Sequence, residues 1–188
     1  SGCGKTTTLR VAAGLEKPQK GYMYMGDREI VNAPEKFYEE PGKRHLNLVF
    51  QSYALWPHMT VFDNAAFGLK VAKVPKEEIR KKVENALKRM RIEAFIDRYP
   101  SELSGGQQQR VAIARAIVKR PRILVFDDSF SALDFKTDSA LRQALSKETG
   151  NATVVIVAQR VSTIMNADRI IVMDEGKVMG IGTHRELL

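Results

Sequence analysis

The sequence predicts an α/β fold, a mostly parallel sheet flanked by helices, on three observations. Short apolar runs at residues 46–50, 123–126 and 153–157 carry almost no polar break, which suits strands buried on both faces under helices. Between such runs lie segments with apolar residues at helical spacing, as at Ile79, Val83, Leu87 and Met90. A glycine-rich turn, Ser1-Gly2-Cys3-Gly4-Lys5-Thr6-Thr7, runs straight into a helical segment, an arrangement that binds phosphate. The 188 residues suffice for one sizeable domain, expected over 1–188, with a helical subdomain inserted at 53–99.

Taken in order, a first helix is expected at about residues 6–13, stopped by Gly14 and Pro18. Residues 21–27 read as a short strand and turn, with Ile30-Val31 as partner. Residues 32–44 are polar, hold Pro34, Pro41 and Gly42, and read as a loop. The run 46–50 is the next strand and ends at Gln51. Thr60 caps a helix over 61–69. A basic amphipathic helix follows Pro75, where residues 76–91 carry seven Lys or Arg against three Glu. Residues 92–99 form a short helical piece before Pro100. Ser104 caps the helix after Leu103-Ser104-Gly105-Gly106-Gln107, and Pro121 closes it. Ile123-Leu124-Val125-Phe126 is the central strand and stops at two carboxylates, Asp127 and Asp128. A turn at 129–134, a helix at 135–147, a buried strand at 153–157 ending near Gln159, and a hairpin at 169–181 follow. A last helix starts at Thr183.

The composition is that of an ordinary globular protein, 44% hydrophobic and 28% charged, with formal net charge +8 and one cysteine, Cys3. One cysteine leaves no intrachain disulfide. No apolar run approaches the roughly 20 residues that span a bilayer, no signal peptide opens the chain, and the cytoplasm is the expected compartment. The basic helix lacks the interleaved aromatics that stack on bases, so nucleic acid is not expected as a partner.

Three stretches carry chemistry. In the pattern G-x-x-x-x-G-K-[ST], Gly4, Lys5 and Thr6 match, and the first glycine would fall before Ser1. Backbone N–H groups there would curl around phosphate oxygens, Lys5 would reach the β- and γ-phosphates, and Thr6 would ligate Mg²⁺. Taken alone, the stretch also fits a glycine-rich turn capping a helix. The strand that normally precedes such a loop is expected to lie before Ser1. Gly105 and Gly106 bare a second helix start, a second anion site or an ordinary capped helix. Asp127 and Asp128, at the carboxyl end of a buried strand, stand where open α/β sheets bind ligands, suited to a metal and a water. Gln51 can donate or accept, and so can ligate a metal and sense a water.

This order of motifs resembles the nucleotide-binding subunit of ATP-binding cassette (ABC) transporters over essentially the whole chain, which implies a P-loop NTPase fold. By position, Ser1, Gly2, Cys3, Gly4, Lys5, Thr6 and Thr7 match the Walker A loop. Gln51 matches the Q-loop, a Mg²⁺ ligand bordering the transmembrane partner. Ser104, Gly105, Gly106 and Gln107 match the signature that binds the γ-phosphate of ATP held by the other subunit. Asp127 matches the Walker B aspartate that holds Mg²⁺, and residues 131–134, ending at Asp134, match the D-loop. The resemblance implies ATP and Mg²⁺ as cofactors and a head-to-tail dimer with a second nucleotide-binding subunit. It also implies a transmembrane permease as partner and a place on the cytoplasmic face of the membrane.

Two positions depart from the family. Asp128 stands where the general base is usually Glu, and Gln159 where the switch residue is usually His. The shorter Asp128 would set its carboxylate back by about 1.5 Å, one C–C bond, and a misplacement of that order can cost about 10²-fold in rate. The implied activity is transport-coupled ATP hydrolysis, slowed at this chain's own site. One alternative is a degenerate subunit that binds ATP and completes a partner's site; another is a soluble ABC ATPase outside transport. Residues 49–70 are similar to sugar- and polyamine-importer ATPases, whereas 123–188 are similar to heterodimeric exporters, with an apparent seam near 118–122.

Overall fold

The computed structural model describes residues 3–129, 152–158 and 161–188. The chain divides into two units, Ser1–Leu46 with Ile156–Leu188, and Asn47–Val155.

The first unit opens with helix α1 (Lys5–Ala13). Gly14 ends it at φ 77, a left-handed value that glycine adopts without a Cβ penalty. Strands β1 (Tyr22–Met25) and β2 (Arg28–Asn32) form the expected antiparallel pair, with a bulge between Met23 and Tyr24. The stretch read as a loop at 32–44 holds a third strand, β3 (Phe37–Tyr38), on β2. Its two residues are too few to show a period.

Arg44 is 2% exposed, a rare setting for a charge. Its Nη1 donates to Val11 O at 2.6 Å and Ala12 O at 2.9 Å, while Nε and Nη2 donate to Glu39 O at 2.9 and 2.8 Å. The guanidinium thus meets the carbonyls left open at the carboxyl end of α1 and complements the helix dipole. Burial draws its pKa below the ordinary value, with Glu39 opposing.

The second unit carries helices α2 (Val61–Val71), α3 (Lys76–Arg89) and α4 (Gly105–Ile117). Thr60 Oγ1 accepts from Asp63 N at 3.1 Å, as its capping role predicts. Ile79, Val83, Ala86 and Leu87 of α3 are buried, and its lysines and arginines line the solvent face. The piece at 92–99 is a single 3₁₀ turn, Glu93–Phe95, and a second, Pro100–Glu102, follows. Helix α4 ends at Ile117, before Pro121, and Arg120 is left-handed at φ 49.

Strands β4 (Leu46–Val49), β5 (Ile123–Asp127) and β6 (Thr153–Val157) form one sheet in the order β4-β5-β6. Thr153 N donates to Arg122 O at 2.9 Å, joining the starts of β6 and β5. Ser129 Oγ donates to Val49 O at 2.9 Å, joining the ends of β5 and β4. Starts beside starts and ends beside ends make the sheet parallel, as predicted. In the centre, Leu124, Val125 and Phe126 are at most 2% exposed.

Two further expectations are corrected. The run 153–157 is not buried: Thr153, Val154 and Val155 are exposed, and among the described strands β6 is an outer one of this sheet. No helix starts at Thr183. Glu186 Oε2 accepts from Thr183 N and Oγ1 at 2.7 and 2.9 Å, the bonding of a helix amino terminus. Only one turn follows it.

After a single helical turn, Val161–Ile164, the hairpin β7 (Ile170–Asp174) and β8 (Lys177–Gly182) forms as expected. Its turn residues Glu175 and Gly176 are left-handed at φ 45 and 75, as a tight hairpin requires. Among the described residues, no helix is long and apolar enough to cross a membrane.

Candidate functional site

In the first unit, Gly4 takes φ 86 at the head of α1. Among the described residues an added Cβ would meet nothing closer than Gly176 Cα at 3.7 Å, while φ 86 favours glycine whatever the space. Gly4, at the N-cap of α1, has no side chain to cap it, and the first turn holds no acidic residue. Thr8 N and Oγ1 both donate to Gly4 O, at 2.9 and 3.0 Å, which fixes the turn to the helix. Lys5 is half-buried and donates to Cys3 Sγ, while Thr6 and Thr7 are exposed. A helix start whose own first turn carries no acid, with a lysine in that turn and exposed hydroxyls, fits a bound phosphate chain. Ser1 and Gly2 lie outside the described residues.

In the second unit, α4 starts at a capping box. Gln107 Oε1 accepts from Ser104 N at 2.7 Å, and Ser104 Oγ accepts from Gln107 N at the long distance of 3.4 Å. The start is therefore capped from within, as one of the two readings of the glycines required. Space remains over it, since a Cβ on Gly105 would meet no atom of the described residues within 4 Å. Gln108 Nε2 donates to Pro100 O and Leu103 O at 3.0 and 3.2 Å, fixing the approach to the helix. Gln109 is fully buried, and its amide atoms have no hydrogen-bond partner among the described residues.

Asp127 and Asp128 are both buried at the end of β5. Asp128 is left-handed at φ 48. Among non-glycine residues that conformation favours Asp and Asn, whose short polar side chains bond locally. The backbone therefore gives Asp128 a reason to be Asp, in addition to any catalytic one. Among the described residues, no three His, Cys, Asp or Glu cluster as a metal site. A Mg²⁺ bound through hydroxyl, amide and phosphate oxygens needs no such cluster.

Gln51 is exposed in the turn after β4. The chain leaves that turn through two left-handed residues, Tyr53 at φ 61 and Ala54 at φ 46. Arg115 of α4 donates from Nη1 to Ala54 O at 2.7 Å and from Nη2 to Tyr53 O at 2.8 Å. Its guanidinium lies 4.8 Å from the centre of the Trp56 ring, which also packs on Phe67 at 4.4 Å. Burial lowers the pKa of Arg115. Asn64 of α2 is fully buried, accepts from Trp56 N at 2.9 Å, and donates to Trp56 O, Met59 O and Thr60 O at 3.0 to 3.1 Å. Arg115 and Asn64 escaped the sequence-based reading. The available signal was a lone polar residue inside an otherwise apolar helix face.

Gln159 and Asp134, with the rest of 130–151, lie outside the described residues. Sequence comparison matches residues 1–131 to the ABC transporter family. The whole chain is 47% identical to the spermidine/putrescine import ATP-binding protein PotA of Marinobacter nauticus, and covers 49% of it. The chain thus spans about half the length of the curated relatives it matches. Among solved structures, a dimeric ATP-binding cassette bound to ADP and Pi superposes with TM-score 0.84 at 33% identity, over 96% of this chain and 81% of that one. A bacterial Atm1-family ABC exporter with ATP bound superposes with TM-score 0.83 at 32% identity, over 100% of this chain and 33% of that one. The parallel sheet under helices, the bared start of α1 and these matches together place the chain in the ABC transporter family, as a P-loop ATPase cassette.

Proposed function

We propose that this chain is the ATP-binding and ATP-hydrolysing subunit of a membrane transporter, acting as a head-to-tail dimer on the cytoplasmic face beside a permease. The observation that carries it is the start of α1. Gly4 is left-handed and offers no side-chain cap, and Lys5 and Thr6 stand at the first turn. Gly2, Cys3, Gly4, Lys5, Thr6 and Thr7 would hold the phosphates. Thr6, Gln51 and Asp127 would hold Mg²⁺, which when bound neutralises charge on the transferred phosphoryl group. Asp128 and Gln51 orient the attacking water, and Gln159 takes the switch role. Ser104, Gly105, Gly106 and Gln107 offer the start of α4 to the nucleotide of the second subunit, and Asp134 belongs to the loop that meets it. The helices at 53–99 act as a subdomain of one cassette, 1–188. Since the PotA relative is named for spermidine and putrescine import, polyamines are the first cargo to test.

The test is ATP hydrolysis by the purified chain and its Lys5→Ala variant. Loss of ATP binding and turnover in the variant is expected, and equal activity in the two proteins would refute the proposal. A second reading, a degenerate subunit that completes a partner's site, draws on Asp128 in its left-handed position. It predicts that Ser104→Ala lowers a partner's turnover more than Lys5→Ala does.

A further inference from the structure

We propose that Arg115 is a positioning residue for Gln51, holding the strained turn through which the chain leaves it; this rests on the role of Gln51 given above. Two consecutive non-glycine residues, Tyr53 and Ala54, sit at φ 61 and 46, a conformation that persists only where surrounding structure imposes it. Local bonds supply part of the hold, Tyr53 N to Phe50 O at 3.0 Å and Ala54 N to Ser52 O at 2.7 Å. The carbonyls of the same two residues are both taken by one guanidinium, through its two terminal nitrogens at 2.8 and 2.7 Å. That fork is planar and fixed, so it sets the direction of both carbonyls at once, which an ammonium cannot do. Beyond the turn, the Trp56 ring lies 4.8 Å from the Arg115 guanidinium, and the Trp56 backbone N and O are both bonded by the Asn64 amide.

Arg115 belongs to α4, the helix whose first residues are Gly105 and Gly106. The turn after Gln51 is thereby tied to the rigid body of that helix. If the fork is lost, the strained pair relaxes and the carboxamide of Gln51 loses its place. The phosphate contacts at the start of α1 do not involve this turn, so affinity for ATP without Mg²⁺ is left intact.

Trp56 is the only tryptophan, so its emission reports on the brace without reference to activity. The experiment compares wild type with Arg115→Lys and Arg115→Met, each alone and combined with Gln51→Ala. Acrylamide quenching of Trp56 is expected to rise about twofold as the guanidinium leaves the ring. Turnover is expected to fall about tenfold with affinity for ATP measured without Mg²⁺ within about twofold, and to fall no further when Gln51→Ala is already present. Unchanged quenching, or additive losses in the double variants, would overturn the proposal. Should Arg115→Met melt early, Arg115→Lys decides by the same measurements. A wild-type chain without ATPase activity would refute the proposed function, while quenching still decides the brace.

Discussion

Replacing Arg44 by Met keeps the apolar stem and removes the guanidinium, and the cost can be worked from its partners. Three carbonyls receive it, Val11 O, Ala12 O and Glu39 O. Val11 O keeps one other donor, Gly14 N at 3.0 Å. Ala12 O and Glu39 O are then left without their donor, and a buried acceptor so stranded costs about 1–3 kcal/mol. Lost complementarity at the carboxyl end of α1 adds about 0.3–1 kcal/mol. Part of this is offset because the charge itself is no longer buried. The net expectation is about 3 kcal/mol, a large share of the 5–15 kcal/mol typical of a folded chain. Arg44→Lys keeps the charge and one or two of the bonds and is expected to lose about half as much. Equilibrium urea unfolding followed by far-ultraviolet circular dichroism reads both. An Arg44→Met midpoint within about 0.5 kcal/mol of wild type would refute the reasoning, as would a Lys variant as damaged as the Met variant.

Two further outcomes follow. Asp128→Glu lengthens the carboxylate toward the water and is expected to raise turnover by up to about 10²-fold, yet to lower stability by about 0.5–1 kcal/mol because φ 48 suits Asp better. Paired single-turnover and melting measurements check both signs, and a faster, equally stable variant would remove the backbone argument. Asp63 is held below the usual carboxylate range, first by the hydrogen bond from Lys70 at 2.6 Å, with its burial opposing and Thr60 assisting. A lowered folded pKa adds stability that is present above the unfolded pKa and is lost as pH falls through the folded one. The effect is expected to be under about 1 kcal/mol, since both side chains are near half exposed. Unfolding midpoints of Asp63→Asn should therefore converge on wild type as pH falls through the lowered folded pKa, and a gap that persists once Asp63 is protonated would refute the assignment.

Legibility in the sequence tracked the range of the forces. Thr60 and Ser104 were readable as caps because a cap bonds to a backbone group three residues away. The β7–β8 hairpin was readable because Asp174-Glu175-Gly176 supplies the left-handed turn within the local stretch. The braces were not readable. Arg44 meets Val11 across 33 positions and Arg115 meets Tyr53 across 62, and no local pattern signals such a bond. Thr183 misled because a sound cap was mistaken for the helix it would begin; a cap satisfies the first donors and does not by itself make the turns that follow. The buried run at 153–157 misled for a related reason. Apolar composition does not distinguish a central strand from an outer one.

The β7–β8 hairpin has a colloidal consequence. Ile171, Val172, Val178, Met179 and Ile181 are each at least 42% exposed, so both strands offer apolar side chains to solvent. A bulge between Val172 and Met173 leaves Met179 without a cross-strand partner and breaks the regularity that edge-to-edge stacking needs. The other restraint is repulsion from the net charge of +8. Salt weakens that repulsion, with a screening length of about 8 Å at 0.15 M, and leaves the apolar ribbon unchanged. The shelf life of the isolated chain should therefore shorten as ionic strength rises.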